Sequence, residues 1–282
     1  MPDTVAEAIR DATLRLAETS DTARLDAEVL MAHALGVTRS QLLLGRMRDP
    51  APEGFAALVE RRAAHEPAAY ITGTAEFYGL ELAVTPATLI PRGDTETLIE
   101  AAREALADRP PARILDLGTG TGALLLAALS LWPEAESVAI DSSAETLAVA
   151  QVNVDRHAPA ARLLLADWTK PGWSADLGRF DLILTNPPYV EDAAELDTSV
   201  RAFEPAGALF SGPEGLDDYR VLVPQLPGLM APGGVAMVEI GWRQADAVAA
   251  IGAAAGLSSR VHRDLGGRDR VVAFSGTNVL GA

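Results

Sequence analysis

Four consecutive residues, Asn186-Pro187-Pro188-Tyr189, have the types and the spacing for chemistry on a planar amino group. The two prolines fix the backbone and lack N–H donors, so carbonyl acceptors remain beside an amide side chain and an aromatic ring. A planar NH2 group conjugated to a carbonyl or a ring offers two donors in one plane. We expect Asn186 to accept one N–H, the Pro187 carbonyl to accept the other, and Tyr189 to pack on the flat face.

Such a site favours alkylation of an amide-type nitrogen, which is a poor nucleophile because its lone pair is delocalised. Holding both N–H bonds at acceptors favours a pyramidal nitrogen and aims its lone pair at an electrophilic methyl group. A fixed in-line approach lowers the barrier, because effective molarities in well-oriented reactions correspond to roughly 7–11 kcal/mol. Acceptors that tighten as positive charge grows on nitrogen add electrostatic stabilisation. Asn186, Pro187 and Tyr189 are the candidate catalytic residues, and no metal is required.

A glycine-rich stretch, Asp116-Leu117-Gly118-Thr119-Gly120-Thr121-Gly122, follows a predicted strand and opens a predicted helix. Glycines permit a sharp turn and a close approach of a ligand to the backbone, a device that dinucleotide-binding folds share. The spacing here is G-x-G-x-G rather than G-x-G-x-x-G, and an acid precedes the first glycine by two positions. This pattern favours S-adenosylmethionine, whose ammonium Asp116 can hold while loop N–H groups face the carboxylate; alternatively, Asp116 caps the helix. The candidate loop residues are Gly118, Thr119, Gly120 and Gly122.

Further polar residues end the next predicted strands and suit an adenosine. Asp141 can accept both ribose hydroxyls, a feature that S-adenosylmethionine and NAD share. In Asp167-Trp168, the carboxylate can accept the adenine amino group while the indole covers the ring, although core packing would also explain Trp168. Asn186 ends the strand after these and completes the predicted cofactor site.

Apolar strands and helices alternate from about residue 95 onward and must position these residues. The predicted strands are Arg113–Leu117, Ser137–Ile140, Ala161–Ala166, Phe180–Thr185, Gly234–Ile240, Ser258–Val261 and Arg270–Phe274. The alternation predicts an α/β protein with a mainly parallel, Rossmann-like seven-stranded sheet covered on both faces and closed by an antiparallel hairpin. Ligands bind beyond the carboxyl ends of the strands in such sheets, where the polar residues above would meet.

Residues 1–73 show apolar residues at helical spacing and predict a small helical bundle, with Thr38 as the N-cap of one helix. Spacing alone leaves open whether this bundle is a scaffold or has a role of its own. Tyr78–Val84 alternates around a turn glycine and predicts a β-hairpin. We therefore expect residues 74–91 to link the bundle to a catalytic domain that spans residues 92–282.

Composition narrows the class of protein and its surroundings. The 282 residues are 49% hydrophobic, enough for a sizeable core, and they include no cysteine, which excludes disulfides and thiolate metal sites. The net charge of −16 is a poor match for a nucleic acid backbone and suits a basic partner or a small substrate. The polar start, Met1–Thr4, predicts no signal peptide, and the longest apolar run, Ala123–Leu131, is too short to span a bilayer. We expect a monomeric, cytoplasmic protein without direct binding to nucleic acid or membrane.

With these motifs in place, the sequence resembles the protein-(glutamine-N5) methyltransferases, and most closely the peptide chain release factor glutamine methyltransferases (the PrmC/HemK family). The resemblance covers nearly the whole chain. Besides the glycine loop and Asn186–Tyr189, the segments that carry it are Ala75–Gly79, Leu89–Arg92 with Thr95-Glu96, Phe203–Pro205, Gly215-Leu216 and Asp264–Arg270. The Phe-Tyr-Gly and Ile-Pro-Arg segments and the closing tail are the more specific ones.

The resemblance implies a class I methyltransferase that uses S-adenosylmethionine to methylate the glutamine of the Gly-Gly-Gln loop in class I release factors. It also implies that the helical N-terminal domain helps to dock the substrate protein. Asn186 and the Pro187 backbone, beside Pro188 and Tyr189, would hold the glutamine amide.

The resemblance also assigns residues around the cofactor and the entrance of the site. Gly118, Asp141 and the Asp167-Trp168 pair would line the cofactor site. The residues implied near the mouth of the site are Arg92, Thr95 and Glu96. Gly93 departs from the family, which often has proline after the arginine, and this difference concerns the rigidity of the loop.

Four other functions compete with this hypothesis. Methylation of a glutamine in a ribosomal protein would use the same catalytic motif and differ only in the docking surface. Methylation of an amino group on a nucleic acid base fits poorly with the charge of −16. An NAD-dependent oxidoreductase would leave Asn186–Tyr189 unexplained, and a binding module would make every polar strand end incidental.

Overall fold

Short amphipathic helices build the N-terminal part of the chain, as the spacing of its apolar residues predicts. In the computed structural model, which describes residues 4–276, they are α1 (Val5–Leu16), α2 (Ala23–Leu35), α3 (Arg39–Gly45), α4 (Phe55–Ala63) and α5 (Ala68–Thr72). Thr4 and Thr38 cap α1 and α3, because each hydroxyl accepts a backbone N–H three residues further on. The predicted N-cap at Thr38 is thus confirmed.

The remaining elements follow the predicted alternation of strands and helices. They are β1 (Thr74–Phe77), β2 (Leu80–Ala83), α6 (Glu96–Ala105), β3 (Arg113–Leu117), α7 (Ala123–Leu131), β4 (Glu136–Asp141), α8 (Ala144–His157), β5 (Arg162–Leu165), β6 (Phe180–Thr185), α9 (Thr198–Phe203), α10 (Asp217–Leu222), α11 (Leu226–Leu229), β7 (Met230–Glu239), α12 (Ala245–Ala254), β8 (Leu257–Arg263) and β9 (Asp269–Gly276). Short 3-10 helices cover Gly93–Thr95, Ala206–Ala208 and Val223–Gln225.

The chain divides into two compact units. The first comprises the residues up to Thr74 together with Leu196–Phe203, a later segment that contains α9. The second comprises Ala75–Glu195 and the residues from Glu204 onward. The first and last residues of the predicted domains, 1–3 and 277–282, lie outside the described part of the chain.

The first unit has its own apolar core. Its buried side chains are Val5, Ala8, Ile9, Ala12, Leu16, Ala27, Leu30, Met31, Ala32, Leu42, Phe55, Val59 and Ile71. An ion pair lies beside this core, with Arg62 Nε at 2.6 Å from Asp26 Oδ2. The hydroxyl of Ser20 also donates to the same carboxylate at 2.7 Å, so that the buried charge of Asp26 is compensated.

A two-stranded hairpin, β1 and β2, turns at Tyr78-Gly79, where both residues have positive φ, 51° and 77°. This is the type I′ arrangement that matches the twist of the flanking strands. Asn153 of α8 ties the end of the hairpin to the glycine loop. Its Oδ1 accepts the Ala83 N–H at 2.7 Å, and its Nδ2 donates to the carbonyls of Ala83 at 3.0 Å and Thr121 at 2.9 Å.

Seven strands form the main sheet, in the order β5-β4-β3-β6-β7-β9-β8. The strands from β5 to β7 are parallel, whereas β9 is antiparallel to both β7 and β8. The predicted Rossmann-like class I methyltransferase fold with a closing hairpin is confirmed. β7 begins at Met230 rather than at the predicted Gly234, since Pro232 and the glycines after it resemble a turn although they continue the strand.

Helices cover both faces of this sheet. Helix α7 coincides with the apolar run Ala123–Leu131, and its residues from Ala123 to Leu129 are buried on one face of the sheet. Tyr219 of α10 and Phe274 of β9 belong to the core on the other face, and both are fully buried. Within residues 4–276, no helix combines the length and the apolar character that crossing a membrane requires.

Candidate active site

The register of the parallel strands brings the polar strand ends to one edge. Leu117 of β3 pairs with Ile140 of β4 and with Thr185 of β6, so Gly118, Asp141 and Asn186 leave the sheet at the same level. Asp141 pairs in turn with Leu165 of β5, two residues before Asp167. Residues that are far apart in sequence thus become neighbours at the carboxyl ends of the strands.

A cavity of about 470 Å³ opens at this edge, a size typical of small-molecule sites. Most of the predicted site residues line its wall. They are Arg92, Thr95, Gly118, Thr119, Gly120, Asp141, Asp167, Trp168, Asn186 and Pro188.

Five other predicted site residues lie behind the wall: Glu96, Asp116, Gly122, Pro187 and Tyr189. Glu96 accepts the backbone N–H of Tyr78 at 2.9 Å, and Gly122 caps α7 with φ at 85°. Pro187 is buried, and the Tyr189 side chain packs into the core with its hydroxyl toward Glu239. These five residues therefore do not line the cavity, and their expected contacts with a ligand stay a prediction.

The glycine loop turns with positive φ at Gly118, Gly120 and Gly122, as its composition predicts. The N–H groups of Gly118 and Thr119 donate to the Ile140 carbonyl at 3.0 and 2.9 Å, which ties the loop to β4. A Cβ atom at Gly118 would lie 3.0 Å from the Trp168 ring. Glycine is therefore required at Gly118 for space as well as for backbone conformation.

Asp116 is fully buried beneath the glycine loop. Its Oδ2 accepts the Thr119 hydroxyl at 2.6 Å, and its Oδ1 has no hydrogen-bond partner among the described residues. Burial raises the pKa of Asp116 to about 7, against the hydrogen bonds that favour its charged form. Asp116 does not line the cavity, and its bond to the Thr119 hydroxyl shows that it supports the loop; its contact with the ammonium of the cofactor stays a prediction.

Asp141 faces the cavity and also supports the loop. Its Oδ2 accepts the Gly120 N–H at 3.1 Å, and its Oδ1 accepts the Ser143 N–H at 3.0 Å. Burial raises the pKa of Asp141, while the backbone N–H groups of Ser143 and Gly120 act in the opposite direction. The carboxylate is thus held in one orientation, with its remaining acceptor capacity available to a ligand.

At the end of β5, Asp167 and Trp168 form the next part of the wall. Asp167 Oδ1 accepts both the hydroxyl and the N–H of Thr169, at 2.6 and 2.8 Å, and these bonds lower the pKa of the carboxyl. The Trp168 indole N–H donates to Asp218 at 3.2 Å, and Asp218 also accepts the Ser211 hydroxyl at 2.7 Å. Asp218 lines the cavity, but sequence reasoning missed it because no motif marks it.

Asn186, which lines the cavity, and the neighbouring Pro187 each have an acceptor that no described protein group uses. Within the part of the chain that the structure describes, its amide forms no hydrogen bond with another protein group, and the Pro187 carbonyl accepts none. Just before them, the Thr185 hydroxyl donates to the Leu117 carbonyl at 2.8 Å. The position of Asn186 is therefore fixed by β6, while its side chain is free to bind a ligand.

The segment after the hairpin contributes a part of the wall that the sequence did not indicate. Its lining residues are Pro86, Ala87, Thr88, Leu89 and Pro91. Two contacts hold the segment: the Thr146 hydroxyl donates to the Ala87 carbonyl at 2.8 Å, and Glu204 accepts the Ile90 N–H at 3.2 Å. Glu204 also forms an ion pair with Arg92. Pro86, Pro91 and the Arg92 that follows are the sequence signal from which this part of the site could have been predicted.

Comparison with known proteins supplies relatives over almost the whole chain. Residues 7–73 match the family model described as the PrmC N-terminal domain, and residues 94–211 match the methyltransferase small domain. A release factor glutamine methyltransferase from Cereibacter sphaeroides is 43% identical over 277 residues, which cover 95% of this chain and 96% of the relative. The proteins of that name from Geobacter sulfurreducens and Bordetella pertussis are 41% and 43% identical. The matches cover 89% of both chains for the former, and 88% of this chain and 93% of the relative for the latter.

The burial of Asp116 predicts a specific dependence of stability on pH. In the unfolded chain its carboxyl ionises near its ordinary pKa of 3.8, whereas the folded state holds the proton until about pH 7. Asp116 therefore makes the free energy of unfolding fall, by up to about 1.4 kcal/mol per pH unit, as pH rises between these values.

We expect Asp116→Asn to remove this contribution. The free energy of unfolding of the variant, relative to the wild type, should rise from pH 5 to pH 7 and level off above. Urea unfolding in the absence of ligand measures it, with the exposed Asp108→Asn as the matched control for the loss of a carboxylate. A difference that stays constant over this range would contradict the assigned environment of Asp116.

Proposed function

The chain belongs to the family of release factor glutamine methyltransferases, and we propose that it transfers a methyl group from S-adenosylmethionine to the glutamine side-chain nitrogen in the Gly-Gly-Gln motif of class I peptide chain release factors. The observation that carries this proposal is the side-chain amide of Asn186, which lines the cavity beside the glycine loop without a hydrogen bond to another described residue, next to a Pro187 carbonyl that accepts none either. A primary amide is the group that such a pair matches, because its two N–H bonds lie in one plane.

The residues of the cavity fit S-adenosylmethionine. Gly118 leaves space that a Cβ atom would fill, between the loop and the Trp168 ring. The Asp141 carboxylate is held by two backbone N–H groups and keeps acceptor capacity for two ribose hydroxyls. Asp167 and Trp168 lie beyond it at the end of β5, where a carboxylate and an indole suit an adenine.

We assign these residues to the binding of S-adenosylmethionine, which supplies an electrophilic methyl group on a sulfonium. Asp141 binds the ribose, while Asp167 and Trp168 bind the base. The glycine loop contacts the amino-acid end of the molecule, while the N–H groups of Gly118, Thr119 and Gly120 bond within the protein and hold the loop in place. Asp116 and Gly122 contribute indirectly, since they hold the loop in its conformation.

Asn186 and Pro187 act on the substrate amide. Two hydrogen bonds fix the plane of the amide, so its nitrogen stays at one position and loses little freedom in the transition state. As positive charge develops on nitrogen, both acceptors bind its N–H groups more strongly, which lowers the barrier. The methylated, positively charged nitrogen would then release one of its two protons to water. Pro188 lines the cavity next to these acceptors and closes the pocket for the glutamine side chain.

Arg92 and Thr95 form the entrance for the substrate loop, with Glu96 just behind them. The ion pair between Arg92 and Glu204 holds this entrance. The family often has a proline at the next position, where this chain has Gly93. We further propose that the helical domain, residues 1–73, docks the release factor, while residues 74–91 link it to the catalytic domain, residues 92–282.

Exchange of Asp141 tests the cofactor site. We expect Asp141→Asn to raise the Kd for S-adenosylmethionine about 10- to 100-fold, because hydrogen bonds to a charged acceptor contribute roughly 1.5–3 kcal/mol. Isothermal titration calorimetry measures this Kd, with the exposed Asp155→Asn as the matched control. An unchanged Kd in Asp141→Asn would rule out the proposed contact with the ribose.

Exchange of Asn186 tests the site of methyl transfer. We expect Asn186→Ala to lower kcat by roughly 100-fold or more, the scale observed when one preorganised hydrogen-bonding group is removed from an active site. The Kd for S-adenosylmethionine should stay within a few-fold of the wild type. Single-turnover kinetics with the protein substrate measure the loss, and full activity of the variant would refute the role of Asn186.

The substrate itself is tested with S-adenosylmethionine that carries a labelled methyl group. Release factor, the same factor with its Gly-Gly-Gln glutamine replaced by alanine, ribosomal proteins and nucleic acid are offered in parallel. We expect label only in the unmodified release factor, and peptide mass mapping should place one methyl group on the glutamine. Label in a ribosomal protein or a nucleic acid instead would favour the competing functions.

A further inference from the structure

The end of β7 and the loop after it, Glu239-Ile240-Gly241-Trp242-Arg243-Gln244, contact the Asn186–Tyr189 turn but have no part in the roles assigned above. β7 is the neighbour of β6, and Val238 pairs with Thr185. Glu239 therefore ends β7 at the level of Asn186, as a further polar residue at this edge. Both Glu239 and Gln244 reach the same residue, Tyr189, from different sides.

Tyr189 is held at three of its atoms. Its backbone N–H donates to the Leu209 carbonyl at 3.1 Å, and its own carbonyl accepts the side-chain N–H of Gln244 at 3.1 Å. Its hydroxyl donates to Glu239 Oε1 at 3.4 Å. The Tyr189 ring also lies against Gly241, where a Cβ atom would be 3.5 Å from it. A residue that only had to pack on a substrate would not need these attachments.

Gln244 connects three loops through one amide group. Its Oε1 accepts the Gly241 N–H at 2.9 Å, while its Nε2 donates to the carbonyls of Tyr189 and Gly215, the latter at 3.0 Å. Gly215 has a positive φ of 65°, and a Cβ atom there would lie 2.2 Å from the Tyr189 carbonyl oxygen. The backbone at Gly215 is thus in direct contact with the catalytic turn, and Gln244 bridges the two.

Glu239 is 2% exposed, and its Oε2 has no hydrogen-bond partner among the described residues. A buried carboxylate with an open acceptor is costly for stability, so packing alone does not account for it. Burial raises its pKa to about 7, whereas the Thr95 hydroxyl, Arg270 and Tyr189 favour the charged form.

The charged and titratable groups around Glu239 come from four further elements. Asp94 precedes α6, and Arg270 of β9 pairs with Asp94 at 3.0 Å and with Asp264 at 3.1 Å. Tyr219 of α10 donates its hydroxyl to the Glu239 carbonyl at 2.8 Å. The Tyr219 contact and the pairing of Glu239 with Val271 of β9 hold the backbone of Glu239 in place.

We propose that Glu239 and Gln244 are positioning residues for methyl transfer: together they hold the hydroxyl and the carbonyl of Tyr189, so that Asn186 and the Pro187 carbonyl stay aimed at the substrate nitrogen. This inference rests on the proposed function, because it assigns a purpose to the rigidity of that turn. Tyr189 is then the anchor of the turn, buried beneath the cavity wall. A displacement of about 1 Å at the acceptors is enough to slow such a reaction severely.

The test compares Gln244→Ala, Tyr189→Phe, Glu239→Leu and Glu239→Gln, with the exposed Gln151→Ala as the matched control. We expect Gln244→Ala, Tyr189→Phe and Glu239→Leu to lower kcat by about 10-fold or more, while KM for the release factor and Kd for S-adenosylmethionine change little. Glu239→Gln keeps an acceptor for the Tyr189 hydroxyl and should restore most of kcat. Tyr189→Phe combined with Glu239→Leu should cost no more than either exchange alone.

Hydrogen exchange decides the inference independently of turnover. The N–H groups of Tyr189 and Val190 both donate to the Leu209 carbonyl, at 3.1 and 2.8 Å, and report on the position of the turn. They should exchange faster in Gln244→Ala and Glu239→Leu, but not in Gln151→Ala. Unchanged exchange in both variants would overturn the inference whether or not release factor is the substrate. If the wild type methylates no release factor but exchange is faster in both variants, only the proposed function is refuted. If Gln244→Ala or Glu239→Leu fails to fold, Tyr189→Phe and Glu239→Gln still decide, because an unchanged kcat in Tyr189→Phe, or a loss in Glu239→Gln as large as in Tyr189→Phe, would contradict the proposed contact.

Discussion

The backbone register between β3 and β6 is the constraint on which the site depends. Leu117 pairs with Thr185, and the Thr185 hydroxyl bonds the Leu117 carbonyl, so the glycine loop and Asn186 emerge side by side. A shift of one residue would turn every side chain of a strand to the opposite face of the sheet. Because both strands lie in the middle of the sheet with helices on each face, their apolar residues oppose such a shift. Backbone pairing rather than flexible side chains therefore sets the position of the glycine loop relative to Asn186.

Two buried carboxylates, Asp116 and Glu239, lie at this edge of the sheet, each with one oxygen that has no hydrogen-bond partner within residues 4–276. Burial raises the pKa of each to about 7. A core selected only for stability would favour apolar side chains at both positions, since a buried carboxyl without a full set of hydrogen bonds is costly. Each carboxylate, however, holds a segment at this edge: the glycine loop through Thr119, and the Asn186–Tyr189 turn through Tyr189. Stability is given up where the geometry of the site requires a polar contact.

Much of the fold could be predicted because its strands are apolar runs with clear ends. The predicted Arg113–Leu117 and Phe180–Thr185 coincide with β3 and β6, since polar residues and glycines follow both. β7 starts before its prediction because β-structure continues through Pro232 and two glycines, which local propensity assigns to a turn.

The site was predictable where a motif marks it, and not where only tertiary packing creates it. Gly118, Asp141 and Asn186 lie at the ends of strands. Polar residues at the ends of several parallel strands indicate that these residues meet at one edge of the sheet. Glu239 was hidden inside a predicted apolar strand, although a lone carboxylate among valine, methionine and isoleucine was a usable signal. The depth of Asp116 could not be inferred, because burial depends on how the loop folds over it.

Asn153 gives the small hairpin a mechanical connection to the cofactor loop. One side-chain amide bonds the N–H and the carbonyl of Ala83 on the hairpin and the carbonyl of Thr121 in the loop. If either partner moved away alone, a buried polar group would lose its bond, at a cost of about 1–3 kcal/mol. The hairpin and the glycine loop are therefore mechanically coupled: a displacement of the hairpin is transmitted through the Asn153 amide to Thr121 in the cavity wall.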